Sequence, residues 1–270
     1  MPKFSVKVKV KVKVMEELNL IDTTLKKIFK DKDHLQIVDI GSLNALEAIH
    51  FSKNFPNSQI FSFEPHPDSY ANCLKNTKDI KNIKVINKAI FSSSKVVKFF
   101  PIDKEKTTTN NPEGVLGASS MLLANTDYPY EKYVQNEIEV EAIRIDDFCI
   151  QNKIEKIDFA WIDVQGVGLS VLKSFGIFLD RLKVIHIEGE NFEIYKNQEM
   201  FSEIHSYLIK KKFKLIYGNK KTNYLDNFIY VKNEYYYKFF YKVILNKINF
   251  LKYRTNYNLI PRVRNKLKNF

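Results

Sequence analysis

From Leu35 onward, short apolar runs alternate with segments of helical periodicity, and this alternation is the feature that most restricts the fold. LQIVDIG reads as a strand and residues 44–54 as the helix that follows it; SQIFSFEP is a second strand, residues 68–76 a helix, and IKVINKAI a third strand. After an interruption the pattern resumes with IDFAWID, a helix over 169–175, the strand KVIHIE, a helix over 198–212, and the strands FKLIYG and NFIYV. Runs that are apolar on both faces are strands covered on both sides, so the chain predicts a doubly wound, mostly parallel α/β sheet. The interruption, residues 92–144, holds the shorter and partly alternating strands VVKFFPI and IEVEAIRI on either side of the turn-rich TTTNNPEGVLGASS. It predicts a β-rich insertion whose long loop covers a site.

Sheets of this kind bind ligands beyond the carboxyl ends of their strands, where the strand order reverses. Asp39, Glu64, Asp163 and Glu188 each stand at the end of an expected buried strand. Any one of them could be a helix cap or a solvated strand end, but four in one register predict a ring of carboxylates along one edge. The turn after Asp39, IGSLNA, contains a single glycine, Gly41, with Ser42 and Ala45 nearest to the places where a dinucleotide fingerprint has its other two. That turn suits a ligand without a diphosphate. Glu64 stands where a doubly wound fold places an acid against ribose hydroxyls. A nucleoside carrying positive charge and no phosphate, such as S-adenosylmethionine, satisfies both conditions.

Charge narrows the partners. The chain carries +12, but residues 1–14 hold five lysines and no acid, and residues 231–270 hold ten Lys or Arg against Glu234 alone. The intervening 15–230 therefore carry about −2, and no nucleic-acid footprint spreads over the expected fold. Three parts follow: a basic arm and lead-in helix over 1–30, a main domain over 31–232, and a basic aromatic tail over 233–270. In the tail, Lys238, Lys242 and Asn246 recur at helical spacing among aromatic and aliphatic residues. Such a helix fits an anionic membrane surface, or packs on its own domain or on a second copy in a homo-oligomer. SVKVKVKVKV, if extended, puts valines on one face and lysines on the other, as an edge strand or a disordered arm would. Cys73 and Cys149 lie far apart with no CxxC pair, and no run approaches the length of a membrane span. The expectation is a cytoplasmic protein that carries no structural metal, peripheral on the inner face of a membrane if the tail binds there.

The segments VDIGSLNALEA, IFSFEPHPDSYANCLKN, GASS, IEVEAIRIDDF, IDFAWIDVQGVGLSVLKSF and VIHIEGENFEIYKNQEMF occur in the order and spacing of the FkbM family, which the chain resembles over about 35–217. The resemblance implies a class I, Rossmann-like methyltransferase fold that takes S-adenosylmethionine and methylates a hydroxyl, on a saccharide or a glycan-linked small molecule. By it Asp39, Gly41 and Ser42 form the cofactor loop, Glu64 holds the ribose and Ala89 flanks the adenine. Two positions depart from the family pattern: Ala45 replaces a second loop glycine, and Gly168 stands where a glutamate follows the QG pair.

Methylation of oxygen needs a group to receive the hydroxyl proton, and Asp163, Glu188 and Glu190 are the candidates for base or substrate orienter; Asp163 could instead hold the cofactor's amino group. Ser119 and Ser120 are expected to close over the site as a substrate loop. His66 reads as a turn residue beside prolines, and His186 and Trp161 as core. Two rival functions stand beside the O-methyltransferase reading. One is an RNA methyltransferase, which the basic tail favours and the near-neutral main domain disfavours. The other is a membrane-tethered binding protein that kept the cofactor and lost catalysis, an idea that rests on Gly168.

Overall fold

The structure, a computed structural model, describes residues 6–29, 33–109, 115–220 and 225–237, with side chains from residue 17. The chain divides into two units, Met1–Asn233 and Glu234–Phe270. Of the second, residues 234–237 are described and are helical. The tail positions Lys238, Lys242 and Asn246 lie outside the described residues.

In the first unit the strands β1 (Gln36–Ile40), β2 (Gln59–Phe63), β3 (Ile83–Ile86), β7 (Phe159–Ile162), β8 (Val184–Glu190), β9 (Phe213–Tyr217) and β10 (Leu225–Lys232) form one seven-stranded sheet. A second, small sheet contains β4 (Ala89–Ile90), β5 (Lys95–Phe99) and β6 (Ile138–Ile143), in the order β4-β6-β5. The main sheet runs β3-β2-β1-β7-β8-β10-β9, with β10 antiparallel to both of its neighbours. Its order reverses between β1 and β7, which pair in parallel from Ile37↔Phe159 to Ile40↔Ile162. This is the doubly wound class I methyltransferase arrangement, and it places a ligand crevice where β1 and β7 end.

Among the described residues of this unit the α-helices are α1 (Val6–Ile28), α2 (Leu46–Asn54), α3 (Pro67–Thr77), α4 (Ile145–Gln151), α5 (Gly168–Ser174) and α6 (Phe201–Lys210). Strand residues of one parity, among them Val38, Ile40, Phe63, Ala160, Ile162, Ile185 and Ile187, pack with Phe148 of α4, Leu172 of α5 and Ile204 of α6. The other parity meets α1 and α2. Phe51 of α2 lies 5.0 Å from Phe159 and 5.9 Å from Trp161, ring centre to ring centre, and Glu17 of α1 lies 3.8 Å from His186. Each buried Val, Leu, Ile or Phe among these contributes about 1.5–3 kcal/mol by leaving water, which is why β7 can be apolar throughout.

Three details differ from the sequence reading. The third strand breaks into β3 and β4, which belong to different sheets. IDDFCIQ, just past the insertion and given no helix in the sequence reading, forms helix α4. The Lys-Val repeat is neither strand nor irregular arm, because Val6–Ile28 is one helix. In its second half Glu17, Ile21 and Leu25 recur every four residues and are buried. Extending a helix already nucleated there is easier than starting a separate strand, and the period-2 pattern yields.

Candidate active site

The switch point opens into a cleft enclosing about 670 Å³, part of it open to solvent. Its walls include Gly41 and Leu43 after β1, Glu64 and His66 after β2, Ala89 and Ile90 of β4, Phe99 of β5, Leu116, Gly117 and Ser119 of the insertion, and Asp163–Gln165 after β7. Gly41 is required by geometry. Its φ is +86°, and a Cβ there would sit 1.8 Å from the Asp163 carbonyl oxygen. The β1 and β7 loops can therefore touch only through a glycine. Leu43, Ala45 and Gln165 hold φ of 50°, 60° and 51°, so non-glycine residues in left-handed backbone gather in the same two loops. Ala45 does so where the family pattern has glycine.

Glu64 is nine-tenths or more buried. The Leu43 N–H donates to its Oε2 at 2.7 Å and the His66 N–H to its Oε1 at 2.8 Å. Burial pushes its pKa up to about 7 against those two hydrogen bonds. Asp39 and Ser42 sit under the cleft, not on its wall. Ser62 Oγ lies 3.2 Å from Asp39 Oδ2 and 2.6 Å from Ser42 Oγ, and Ser42 Oγ reaches the carbonyls of Asp39 and Phe63. Asp39 is fully buried, and desolvation, with Glu47 nearby, pushes its pKa up to about 8. These two residues brace the cofactor loop from below. Ala89 lines the cleft.

On the opposite wall one amide organises the acids. Gln165 Nε2 donates to Asp163 Oδ1 at 2.6 Å and to Glu188 Oε1 at 2.7 Å, while Tyr195 Oη lies 3.0 Å from Gln165 Oε1. The carboxylates of β7 and β8 are thus set side by side. Burial raises the Asp163 pKa; Gln165 and His186 oppose the shift and Glu17 adds to it. Glu190 is deeper, 2% exposed, and burial pushes its pKa up to about 7, with Asp163 adding to the shift. Glu47, in the first turn of α2, is a further acid of the cluster: burial and then Asp163 raise its pKa. Among the described residues no group of His, Cys, Asp and Glu is placed to hold a metal ion.

The insertion is latched to this wall. Ser120 Oγ donates to the Gln165 carbonyl at 2.6 Å, and Ser119, which lines the cleft, donates to Leu116 O at 2.7 Å. His66 caps α3 by accepting N–H bonds from Asp68 and Ser69 at Nδ1. His186 stacks on Trp161 with ring centres 3.6 Å apart, and neither of its ring nitrogens finds a hydrogen bond among the described residues. A Cβ on Gly168 would lie 3.1 Å from Ile187 Cδ1 and 3.2 Å from Ile204 Cδ1, between β8 and α6. Glycine there fits α5 against the sheet, and the acids of the cleft come from other positions. Glu47, Gln165 and Tyr195 were missing from the sequence-derived site; an acid one turn into the helix after the Gly41 turn is the one signal that could have flagged any of them.

A methyltransferase FkbM domain model matches residues 39–215. The chain belongs to the FkbM methyltransferase family. The family is one of methyltransferases that take their methyl group from S-adenosylmethionine. The 2-O-methyltransferase NoeI of Sinorhizobium fredii is 29% identical over 164 residues, which are 60% of this chain and 66% of that protein. The chain thus spans just under two thirds of that relative's length. Among solved structures, precorrin-6y C5,15-methyltransferase of Geobacter metallireducens matches at 15% identity, over 78% of this chain and 86% of that one, with a TM-score of 0.40. Aeropyrum pernix fibrillarin in complex with S-adenosyl-L-methionine matches at 14% identity, over 79% and 74% of the two chains, with a TM-score of 0.42.

Proposed function

We propose that this FkbM methyltransferase transfers its methyl group to a hydroxyl of a saccharide, of a glycan-linked molecule or of a related small metabolite. The observation that carries the reading is the pair Asp163 and Glu188, tied to one amide on the wall of the donor cleft. Support comes also from the 2-O-methyltransferase named among its relatives.

The residues present fit S-adenosylmethionine. Gly41 and Leu43 offer backbone at close approach, Glu64 offers acceptors to ribose hydroxyls, Ala89, Ile90 and Phe99 offer an apolar slot for a base, and Asp163 offers negative charge. When bound, the cofactor supplies a methyl group activated by its sulfonium charge. The chain's own part is to orient the acceptor hydroxyl and to hold its proton. Asp163 and Glu188 are partly exposed and suited to both tasks, while Glu190 is buried and holds the Gly166 turn through that residue's N–H. A positioned base of this kind is worth about 10²–10⁴-fold.

Calorimetry tests the cofactor half: the intact protein binds S-adenosylmethionine, and Glu64→Ala weakens binding by about 10–100-fold, the loss expected for hydrogen bonds to a charged acceptor. For the transfer half, the protein is incubated with methyl-labelled cofactor and host glycan fractions. Asp163→Asn and Glu188→Gln should each cut label transfer by at least about 100-fold. Full transfer by Asp163→Asn, Glu188→Gln and Glu190→Gln alike would remove the carboxylates from the chemistry.

A further inference from the structure

Next to the Gln165–Glu188 pair, four aromatic rings of the insertion and of the segment after β8 form a wall. Tyr128 lies 5.6 Å from Tyr130, 6.0 Å from Tyr133 and 6.1 Å from Phe192, centre to centre, and Tyr133 stacks on Tyr195 at 6.3 Å with planes 14° apart. Tyr195 is the residue whose hydroxyl meets Gln165, so the wall begins one ring away from the amide that holds Asp163 and Glu188. Burial, then Glu131, and also Tyr128 and Glu188 raise the Tyr133 pKa, which places that ring within the field of the Glu188 carboxylate.

The wall is fixed, not a floppy fringe. The Asn125 N–H donates to Ile194 O and the Lys196 N–H to Leu123 O, both at 2.8 Å, and Asn125 Nδ2 donates to Glu193 O. These bonds zip the insertion to the segment after β8. Yet the rings are not sealed in a core: Tyr130 is 49% exposed, and Tyr128, Tyr133 and Phe192 are half-buried. Asn191, between Glu190 and Phe192 in the chain, keeps a buried side-chain Nδ2 with no acceptor among the described residues. Leaving such a donor unmade costs stability that an incoming oxygen would restore.

We infer that the rings of Tyr128, Tyr130, Tyr133 and Phe192 are the platform on which a pyranose ring of the acceptor stacks, carrying one of its hydroxyls to Asp163 and Glu188. The inference rests on the O-methyltransferase reading and names its substrate surface. A pyranose has one face of C–H bonds, which carry slight positive charge and suit the negative face of an aromatic ring. Its rim is hydroxyls, which suit carboxylates and amides. A nucleic-acid base also stacks on aromatics, but its phosphates need cations around it. The two segments that carry the rings hold Asp127, Glu131, Glu188, Glu190 and Glu193 against Lys132 and Lys196, a balance that repels a phosphate backbone.

The test is saturation-transfer NMR on the full chain with saturating S-adenosylhomocysteine. The probes are methyl glucoside, methyl galactoside, methyl mannoside, methyl rhamnoside and the disaccharides lactose and cellobiose. Irradiating the protein's aromatic protons should enhance ring C–H signals of at least one saccharide. Tyr130→Ala with Phe192→Ala should reduce that transfer at least fivefold and leave calorimetric cofactor affinity unchanged, while Tyr130→Phe retains it. If the double variant melts early, Tyr130→Ala, at a half-exposed ring, takes its place. Cofactor binding without transfer to any saccharide, or transfer indifferent to loss of the rings, overturns the platform. Failure of the intact protein to bind cofactor would instead overturn the reading beneath it.

Discussion

At the scale of residues, the site depends on groups held in states that water would not favour. Gly41→Ala puts a methyl group into the Asp163 carbonyl at a φ of +86°. We expect a loss of at least about 2 kcal/mol in denaturant unfolding, with abolished cofactor binding, because the two cleft loops must part. The acids give a pH signature. Asp39, Glu64 and Glu190 have folded pKa values raised to about 8, 7 and 7 from ordinary values of 3.8, 4.5 and 4.5. The folded protein then binds more protons than the unfolded chain between those limits, so its stability falls as pH rises from about 4 to about 8. Cofactor binding runs the other way, since a cation with ribose hydroxyls is best received by ionised Glu64. A single group of pKa about 7 makes affinity rise about tenfold from pH 6 to pH 8. Calorimetry across that range checks it, and Glu64→Gln should flatten the profile; an unaltered slope in that variant would assign the proton elsewhere.

Among the elements, α5 is short, carries no acid in its first turn, and starts without a side-chain cap of its own. Glu199 supplies what is missing: its Oε2 accepts the Ser170 N–H at 2.8 Å and its Oε1 the Ser170 hydroxyl at 2.5 Å. The Glu199 N–H in turn donates to Gly166 O, so the cap also steadies the turn that carries Gln165. Glu199→Ala should cost about 1–2 kcal/mol in thermal or denaturant unfolding and loosen the Asp163–Gln165–Glu188 arrangement. An unchanged melting curve would show that α5 does not need this cap. Such a link between distant segments is invisible in a linear reading, as is the Gln165 amide, whose polar neighbours converge only after β7 and β8 pair. By contrast, Glu64 and Asp163 were legible in place because strand ends in a parallel sheet share an edge, and an apolar run that stops at an acid marks such an end, whereas Glu188 lies two residues before the end of β8. Asp39 was legible in place but not in role: it precedes the last residue of β1, and strand parity turns it under the loop toward Ser62. The Lys-Val repeat misled because a period of two was weighed without the strongly helical MEELNLIDTTLKKI that continues from it.

At the scale of the whole molecule, the positive charge and the catalytic architecture belong to different parts of the chain. Residues 234–270 hold nine Lys or Arg against one Glu, so a chain ending at Asn233 would fall from +12 to about +4. No helix among the described residues is long and apolar enough to cross a membrane. Basic side chains near an anionic bilayer each contribute about 1 kcal/mol, an attraction that salt screens. The full chain should therefore sediment with vesicles containing phosphatidylserine, fail to sediment with phosphatidylcholine alone, and be released by high salt. The chain ending at Asn233 should stay in the supernatant. It should also keep its affinity for S-adenosylmethionine, because every wall of the donor cleft lies between Ile40 and Val167. Equal sedimentation of the two chains would exclude the tail as a membrane anchor, and loss of cofactor binding in the shorter one would show that the second unit supports the first. The charges would then serve the fold, and the search for their partner would move from lipid to the enzyme itself.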